Sequence, residues 1–390
     1  MRLIHIYLSL WCLYWLQGAL YPSGSFFSQM LLAIVLLISF YFYLVVNIKW
    51  QQPKALKTLS LIIVVFTIYG IIALLLGETF TIKETGTTGI SAVRYLKSIY
   101  ISLLPVYTVY LFAKQRLLSE KTIRIWTFVF LVVAVICFYR NQNDVLNSLV
   151  SRGVNSEEVT NNGAYEVLGI ICFIPFFYKK PVVQYVILAI CLYFLLIGMK
   201  RGAMVCGVIA TLGFLFYSIK GQHNIRRTII TLFLTVGIVF FVLLSINSML
   251  TSSDYFNQRL ESTLAGDSSE RDHIYMTLFY HFINESNPLL FLFGNGANAT
   301  LEITTNYAHN DWLELAINNG LIMVVIYLVF WVRLFKTIRQ SKNTVCSLVI
   351  SLFFIIYFLK TLFSMSYADI PTCSSVAIGY ALANYENDCA

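Results

Sequence analysis

The sequence predicts an all-α polytopic membrane protein with about twelve transmembrane helices. Of its 390 residues, 58% are hydrophobic and only 12% are charged, whereas a soluble domain carries about 25% charged residues. Apolar runs recur along the whole chain at about the length that crosses a hydrocarbon core of roughly 30 Å. Lys and Arg residues concentrate in alternate short loops, which is typical of a protein that crosses the membrane many times.

The apolar runs define the candidate spans. They lie at about 3–20, 25–48, 56–77, 93–113, 124–139, 165–178, 182–198, 202–219, 228–246, 311–332, 344–363 and 367–384. With the N-terminus in the cytoplasm, 17 of the 27 basic residues fall in inner loops, and both termini are cytoplasmic. We therefore expect residues 1–390 to form a single membrane domain. The large outer (periplasmic) loop 247–310, between spans nine and ten, is expected to cap it.

Ten basic residues fall outside the inner loops, and charges in or beside membrane spans are costly enough to indicate function. They are Lys83, Arg94, Lys97, Arg140, Arg152, Lys200, Arg201, Arg259, Arg271 and Lys360. Snorkelling to lipid head groups is the alternative explanation for Arg94, Lys97 and Arg140. We keep Arg94 as a candidate substrate-binding residue. Lys360 and the acidic Asp369 receive no predicted role.

Lys200 and Arg201 stand in a turn between spans eight and nine that is expected to face outward. The guanidinium group of an arginine matches phosphate oxygens with a fixed fork of donors, so the pair predicts an anion clamp. Gly202 permits a close approach of backbone or ligand. The alternative is that both cations snorkel to head groups.

The outer loop contains a predicted helix at about 268–284, with Asp267 as its N-cap. Arg271, Tyr275 and Leu278 fall on one face of that helix, which is largely apolar. We expect this face to pack on the membrane domain and to turn the Arg271 guanidinium inward. A surface charge paired with neighbouring acids is the alternative.

His309 and Asn310 stand at the junction of this loop with span ten, and nine residues separate Asn310 from Gly320. Histidine is the side chain best suited to moving a proton near neutral pH, so His309 is a candidate general base. Asp311 and Glu314, in the first turn of the span, either orient the imidazole or are ordinary first-turn acids. A satisfied interfacial histidine is the alternative reading of His309.

Other function classes find little support in the chain. Its eight Cys residues are scattered without metal-ligand spacing, so we expect neither a metal site nor a cofactor. The formal net charge of +8 is explained by membrane topology, so we expect no nucleic-acid partner. Walker A and DxD sequences are absent, as is a ladder of acids through the spans.

Several motifs together resemble the O-antigen ligase and polymerase superfamily over about 195–335. They are the Arg-Gly-Ala turn at 201–203, the Arg-bearing loop helix, the Pro-Leu stretch leading to Gly-x-Gly at 294–296, and His309-Asn310-x9-Gly320. The resemblance implies a metal-independent, inverting glycosyltransferase of the membrane-embedded (GT-C) type. Its donor would be an oligosaccharide on undecaprenyl pyrophosphate, and its acceptor a glycan or lipid.

The resemblance also implies roles for particular residues. Arg201 and Arg271 would hold the donor pyrophosphate, and His309 would be the base that activates the acceptor hydroxyl. Lys200, Asn310, Arg94, Glu314 and Tyr275 complete the candidate substrate-binding set. The site would face outward from the bacterial inner membrane, and a chain-length regulator is an expected partner beside the lipid bilayer.

Two alternatives to a polymerase of surface polysaccharide remain in view. A ligase that transfers the glycan to lipid A-core would continue its motif as Gly-x-x-Gly, whereas Gly320 is followed by Leu321-Ile322-Met323. This difference favours a polymerase. A transporter or flippase of lipid-linked sugars would distribute charges through several spans, but here the candidate residues gather at the outer face.

Overall fold

The structure is a computed structural model that describes residues 2–82, 87–151, 160–220, 225–252, 271–304 and 306–387, together with Asn257 and Glu261. The first helices are α1 (Arg2–Trp15), α2 (Phe26–Lys49), α3 (Lys54–Leu76), α4 (Ala92–Leu103), α5 (Pro105–Lys114) and α6 (Glu120–Ser151). They are followed by α7 (Ala164–Ile170), a 3₁₀ segment (Ile171–Phe177), α8 (Pro181–Ile197), α9 (Arg201–Lys220) and α10 (Ile225–Ser252). The remaining helices are α11 (Arg271–Ile283), α12 (Pro288–Phe293), α13 (Thr300–Thr304), α14 (Asp311–Gln340), α15 (Thr344–Lys360) and α16 (Thr372–Asn384).

The chain is a multi-pass helical membrane protein. Among the described residues, seven helical stretches are long and apolar enough to span a membrane. They are Phe26–Lys49, Lys54–Leu76, Ala92–Lys114, Glu120–Asp144, Arg201–Ile219, Thr228–Ser248 and Asp311–Gln340. Four further apolar helices are shorter: Leu3–Trp15, Ala164–Phe177, Pro181–Ile197 and Thr344–Lys360. Every predicted span coincides with a helix, while the count of twelve crossings stays a prediction.

One short antiparallel hairpin departs from the purely helical expectation. Strands β1 (Thr79–Ile82) and β2 (Thr87–Ser91) pair with Thr79 opposite Ser91. The segment between spans three and four is rich in β-branched residues, which favour extended backbone. The predicted spans end at residue 77 and resume at residue 93, and no structure was predicted for the segment between them.

Helix α14 is interrupted inside the membrane by Gly320, whose φ of 74° and ψ of 180° are not helical. The break releases the carbonyl groups at the end of the first half-helix, and the Gly-x-Gly segment supplies their donors. The Asn295 N–H donates to Ile317 O at 2.8 Å, and the Gly296 N–H donates to Asn318 O at 3.0 Å. The broken helix and this segment of the outer loop therefore share one hydrogen-bond network, as backbone at membrane depth requires.

Gly294 and Gly320 lie where the two segments pack backbone against backbone. A Cβ placed on Gly294 would lie 2.5 Å from Asn319 N, and one on Gly320 would lie 2.4 Å from Leu292 O. Both residues also have a positive φ, which glycine adopts without steric cost. The Gly-x-Gly and Gly320 motifs therefore have a shared structural explanation, namely the docking of α12 on the break in α14.

The outer-loop helix α11 lies within the predicted range 268–284, and Asp267, its predicted N-cap, lies outside the described residues. Leu278 on α11 is fully buried in a small apolar cluster with Ala299, Ala308 and Ile317. This cluster joins the described part of the outer loop to the first half of α14. It holds α11 over the end of the helix bundle at which α14 begins.

Candidate functional site

A cavity of about 540 Å³ opens where α6, α7, the turn before α9, α11 and the segment after α15 meet. Four of its lining residues were predicted from sequence as candidate site residues: Arg94, Lys200, Arg271 and His309. Arg140, Tyr165, Glu166, Phe363 and Asp369 are among the others. Residues more than 250 positions apart in the chain therefore converge on one cavity.

Arg271 and Tyr275 are positioned by their docking on the chain that follows α15. The Arg271 guanidinium donates from Nη1 to Phe363 O at 3.1 Å. The Tyr275 hydroxyl lies 3.3 Å from His309 O and 3.4 Å from Leu362 O. Burial raises the pKa of the Tyr275 phenol above its ordinary value, although the Arg271 charge opposes part of the rise. The phenol therefore stays protonated at neutral pH and can donate a hydrogen bond. The other N–H groups of the Arg271 guanidinium are available to a ligand.

His309 lines the cavity in an unusual backbone conformation, with a φ of 52°. Asn310, the next residue, is the N-cap of α14 and accepts from the N–H groups of Trp312 and Leu313 at 3.0 and 3.2 Å. Its Nδ2 donates to Leu362 O at 3.2 Å. Asn310 therefore caps α14 and joins it to the segment after α15. These bonds hold the backbone of the preceding residue, His309, at the cavity.

Asp311 and Glu314 are both fully buried and bind protein groups. Asp311 accepts from the Ser366 N–H at 2.7 Å and from the Tyr327 hydroxyl at 2.6 Å. Its carboxylate therefore anchors the chain after α15 to α14, and it is not among the described cavity-lining residues.

Glu314, a candidate substrate-binding residue, is not among the described residues that line the cavity. Its carboxylate accepts from the Thr300 hydroxyl at 2.7 Å, the Ala308 N–H at 2.6 Å and Asn318 Nδ2 at 3.1 Å. A buried carboxylate with three donors is satisfied by the protein itself. Because Ala308 directly precedes His309, the effect of Glu314 on the site is to position the histidine backbone.

Lys200 lines the cavity, whereas Arg201 begins α9 and is not among the described residues that line it. The adjacent Gly202 faces protein atoms. A Cβ there would lie 2.6 Å from the Tyr165 hydroxyl and 2.7 Å from the Phe363 ring. The close approach expected at this glycine is therefore made by protein side chains. Phe363, which accepts the hydrogen bond from Arg271, also packs on the start of α9.

Asn161, which shortly precedes α7, joins three elements at the cavity. Its backbone N–H donates to Gly198 O at 2.9 Å, and its Nδ2 donates to Phe138 O at 2.9 Å. The middle of α6, the segment that leads into α7 and the end of α8 are thereby held side by side. This arrangement brings Arg140 and Glu166 to the cavity that Lys200 also lines.

Arg140, Glu166 and Asp369 also line the cavity, although they were not among the candidate site residues predicted from the sequence. Arg140 donates from Nη1 to Trp15 O at 2.8 Å and lines the cavity, where only snorkelling had been favoured. Glu166 occupies the first turn of α7, at the outer end of the sixth predicted span. An acid at the end of an apolar run was a signal that could have been weighted more heavily.

Asp369 is paired with the fully buried Lys360, from Nζ to Oδ2 at 2.6 Å, and the ammonium group also lies 4.5 Å from the centre of the Tyr165 ring. The Asp369 side chain remains 60% exposed toward the cavity. Lys360 offsets the charge of Asp369, so Glu166 supplies the one further carboxylate among the described lining residues, which also include Arg94, Arg140, Lys200 and Arg271. The described lining therefore has an excess of positive charge, which suits an anionic ligand.

Comparison with known proteins does not place the chain in a family. No family model matches the sequence, and no curated protein matches it.

Proposed function

We propose that the protein is a membrane glycosyltransferase that uses an oligosaccharide on undecaprenyl pyrophosphate as donor and polymerises a surface polysaccharide. The observation that carries the proposal is the cavity in which Arg94, Arg140, Lys200 and Arg271 lie together with His309. Cations suit the pyrophosphate of such a donor, and an imidazole suits the acceptor hydroxyl. In this proposal the cavity faces outward from a bacterial inner membrane and both termini are cytoplasmic.

The proposed reaction is a direct displacement at the anomeric carbon of the donor sugar. The acceptor oxygen forms a bond to this carbon, His309 takes the hydroxyl proton, and the carbon–oxygen bond to pyrophosphate breaks. The departing pyrophosphate keeps the electron pair, and the arginine and lysine side chains stabilise its charge. Attack opposite the leaving group inverts the configuration at this carbon.

The excess of cations at the cavity also bears on the transporter alternative. A transporter of lipid-linked sugars would need charged groups along a route through the bilayer. The described basic residues of this cavity instead gather in one place. Arg94 and Lys200 lie at the starts of α4 and α9, Arg140 lies near the end of the candidate span Glu120–Asp144, and Arg271 begins α11. This distribution favours chemistry at one membrane face.

The test is His309→Asn in the purified full-length protein, supplied with a lipid-linked oligosaccharide. Asn is chosen because it tolerates the left-handed backbone that His309 adopts. We expect chain extension to fall about 10²–10⁴-fold, since this is the usual contribution of a general base. Donor binding, which depends on the cations, should change little.

The matched control is His273→Asn, on an exposed histidine of α11 outside the cavity lining. This variant should extend chains at the wild-type rate. Wild-type extension by His309→Asn would remove the histidine from the mechanism. Absence of any donor binding by the wild-type protein would reject the proposed function itself.

A further inference from the structure

A second polar cavity lies at the other end of the molecule. It has a volume of about 710 Å³ and is lined by the N-terminus of α3, the C-terminal ends of α5 and α14, and the segment after α16. Its first lining residue on α14 is Arg333, 22 residues after the start of that helix, and none of its lining residues also lines the candidate site. The two cavities are therefore separate.

Four cations converge on this cavity: Lys54, Lys114, Arg333 and Lys336. Glu386 is the one carboxylate among its lining residues, and its Oε1 accepts from the Tyr385 hydroxyl at 2.6 Å. Among the residues that the structure describes, none of the three lysines has an ion-pair partner. Such a group of like charges is unfavourable unless an anion lies between them.

The helix beside these cations adds to the positive potential. Lys54 is the first residue of α3, and the N-cap Pro53 makes no side-chain hydrogen bond to the free N–H groups of the first turn. A helix N-terminus has a partial positive charge, so a lysine there is disfavoured. Free amides and cations at one point are the arrangement that binds phosphate groups.

Gln52 joins the turn before α3 to the end of α2 in the wall of the cavity. It lines the cavity, is only 8% exposed, and its Nε2 donates to Val46 O at 3.1 Å. Arg333 donates to Thr58 at 2.7 Å and thereby holds α14 against α3 at the cavity.

We propose that this cavity binds a phosphate ester, with the phosphate held by the four cations. Two sources share this chemistry, namely the head group of an anionic phospholipid and a free phosphate ester. Topology alone requires basic residues at this membrane face, but it does not require them to line one cavity. Lys49, Lys121 and Lys342 lie outside the cavity lining and provide the comparison.

The experiment compares two triple variants of the full-length protein in detergent. Lys54, Lys114 and Lys336 are changed to Gln in the cavity variant, and Lys49, Lys121 and Lys342 are changed to Gln in the control. All six side chains are exposed, so neither set removes core packing. Thermal unfolding, followed by tryptophan fluorescence, is titrated with dioleoylphosphatidylglycerol, with glycerol 3-phosphate, and with dioleoylphosphatidylcholine as the zwitterionic reference.

We expect the wild type and the control variant to be stabilised, and the cavity variant to need at least tenfold more ligand for the same shift. A response to phosphatidylglycerol alone assigns the site to a lipid head group, and a response to glycerol 3-phosphate assigns it to a free ester. Equal shifts in the two variants, or no shift of the wild type with either anion, overturn the proposal. If the cavity variant is poorly folded, Lys336→Glu against Lys342→Glu makes the same comparison with single charge reversals.

Discussion

At the scale of single residues, the position of His309 results from contacts made by its neighbours. Glu314 accepts from the N–H of Ala308, Asn310 caps α14, and Tyr275 donates to the carbonyl of His309 itself. The left-handed φ of 52° is maintained by these contacts on both sides. Non-glycine residues held in this region are often found at functional sites.

Arg271 provides a residue-scale prediction. Arg271→Lys keeps the charge but loses the planar fork that both reaches Phe363 O and presents donors to a ligand. We expect donor affinity to fall about tenfold or more, because one charge-assisted hydrogen bond contributes about 1.5–3 kcal/mol. The measurement is binding of the lipid-linked donor to the purified variant. The control is Arg339→Lys, on an exposed arginine outside the cavity lining, and equal affinity in Arg271→Lys and the wild type would contradict the predicted role.

The site residues were only partly predictable from sequence. His309 and Arg271 stood out because each combines a chemically capable side chain with a special position, at a helix start or on a largely apolar helix face. Glu314 has the same kind of position, yet it is satisfied by Thr300, Ala308 and Asn318. Whether an acid faces a cavity or the interior depends on the path of residues 300–308, and no sequence period encodes that path.

At the scale of elements, the break in α14 connects the outer loop to the membrane bundle. The first half-helix ends in carbonyl groups that bond to Asn295 and Gly296, and the outer-loop helix α12 lies across the break. None of the residues of α12 is buried, and its apolar side chains are available to the interface. The sequence places a Pro-Leu stretch before the Gly-x-Gly at 294–296 here, but it does not predict the break, since an isolated glycine in an apolar run does not disclose its φ.

Gly320→Ala is the element-scale prediction. The new Cβ would lie 2.4 Å from the Leu292 carbonyl at a residue with a positive φ, so α12 or α14 must shift. We expect a loss of stability of at least about 1–3 kcal/mol, which is the cost of such backbone strain alone. Thermal unfolding in detergent measures it. Gly237→Ala is the control, because a Cβ there meets no atom within 4 Å. Equal unfolding temperatures in the two variants would contradict the predicted loss of stability at Gly320.

At the scale of the whole molecule, hydropathy predicted where helices lie better than it predicted how they cross the membrane. Every apolar run is helical, because a buried or lipid-facing backbone must satisfy its own hydrogen bonds. Several helices are nonetheless short or divided: Leu104 separates α4 from α5, and Pro175 lies in the 3₁₀ segment that follows α7. The cavity brings together Arg94, Glu166 and Asp369 because distant elements pack against one another. A single sequence contains no direct signal for that packing.

The orientation of the molecule can be tested by cysteine labelling. Seven of the eight cysteines are buried, and Cys389 lies outside the described residues, so Cys389→Ser provides the background. We expect Ser286→Cys, on the outer side, to react with an impermeant maleimide in intact spheroplasts. Lys121→Cys, on the inner side, should react only after lysis. The reverse pattern would place the candidate site in the cytoplasm and reject an outward-facing transferase.

The lining of the candidate site also implies an order of biosynthesis. Arg94 and Arg140 enter the membrane early, whereas Phe363 and Asp369 emerge from the ribosome only after α14 and α15 have been made. Arg271 and Asp311 find their backbone partners in this late segment as well. A nascent chain that ends before Phe363 therefore contains the basic residues of the cavity but lacks the residues after α15 that complete its lining. The cavity is complete only after residue 369 has left the ribosome, so no shorter translation intermediate contains the assembled site.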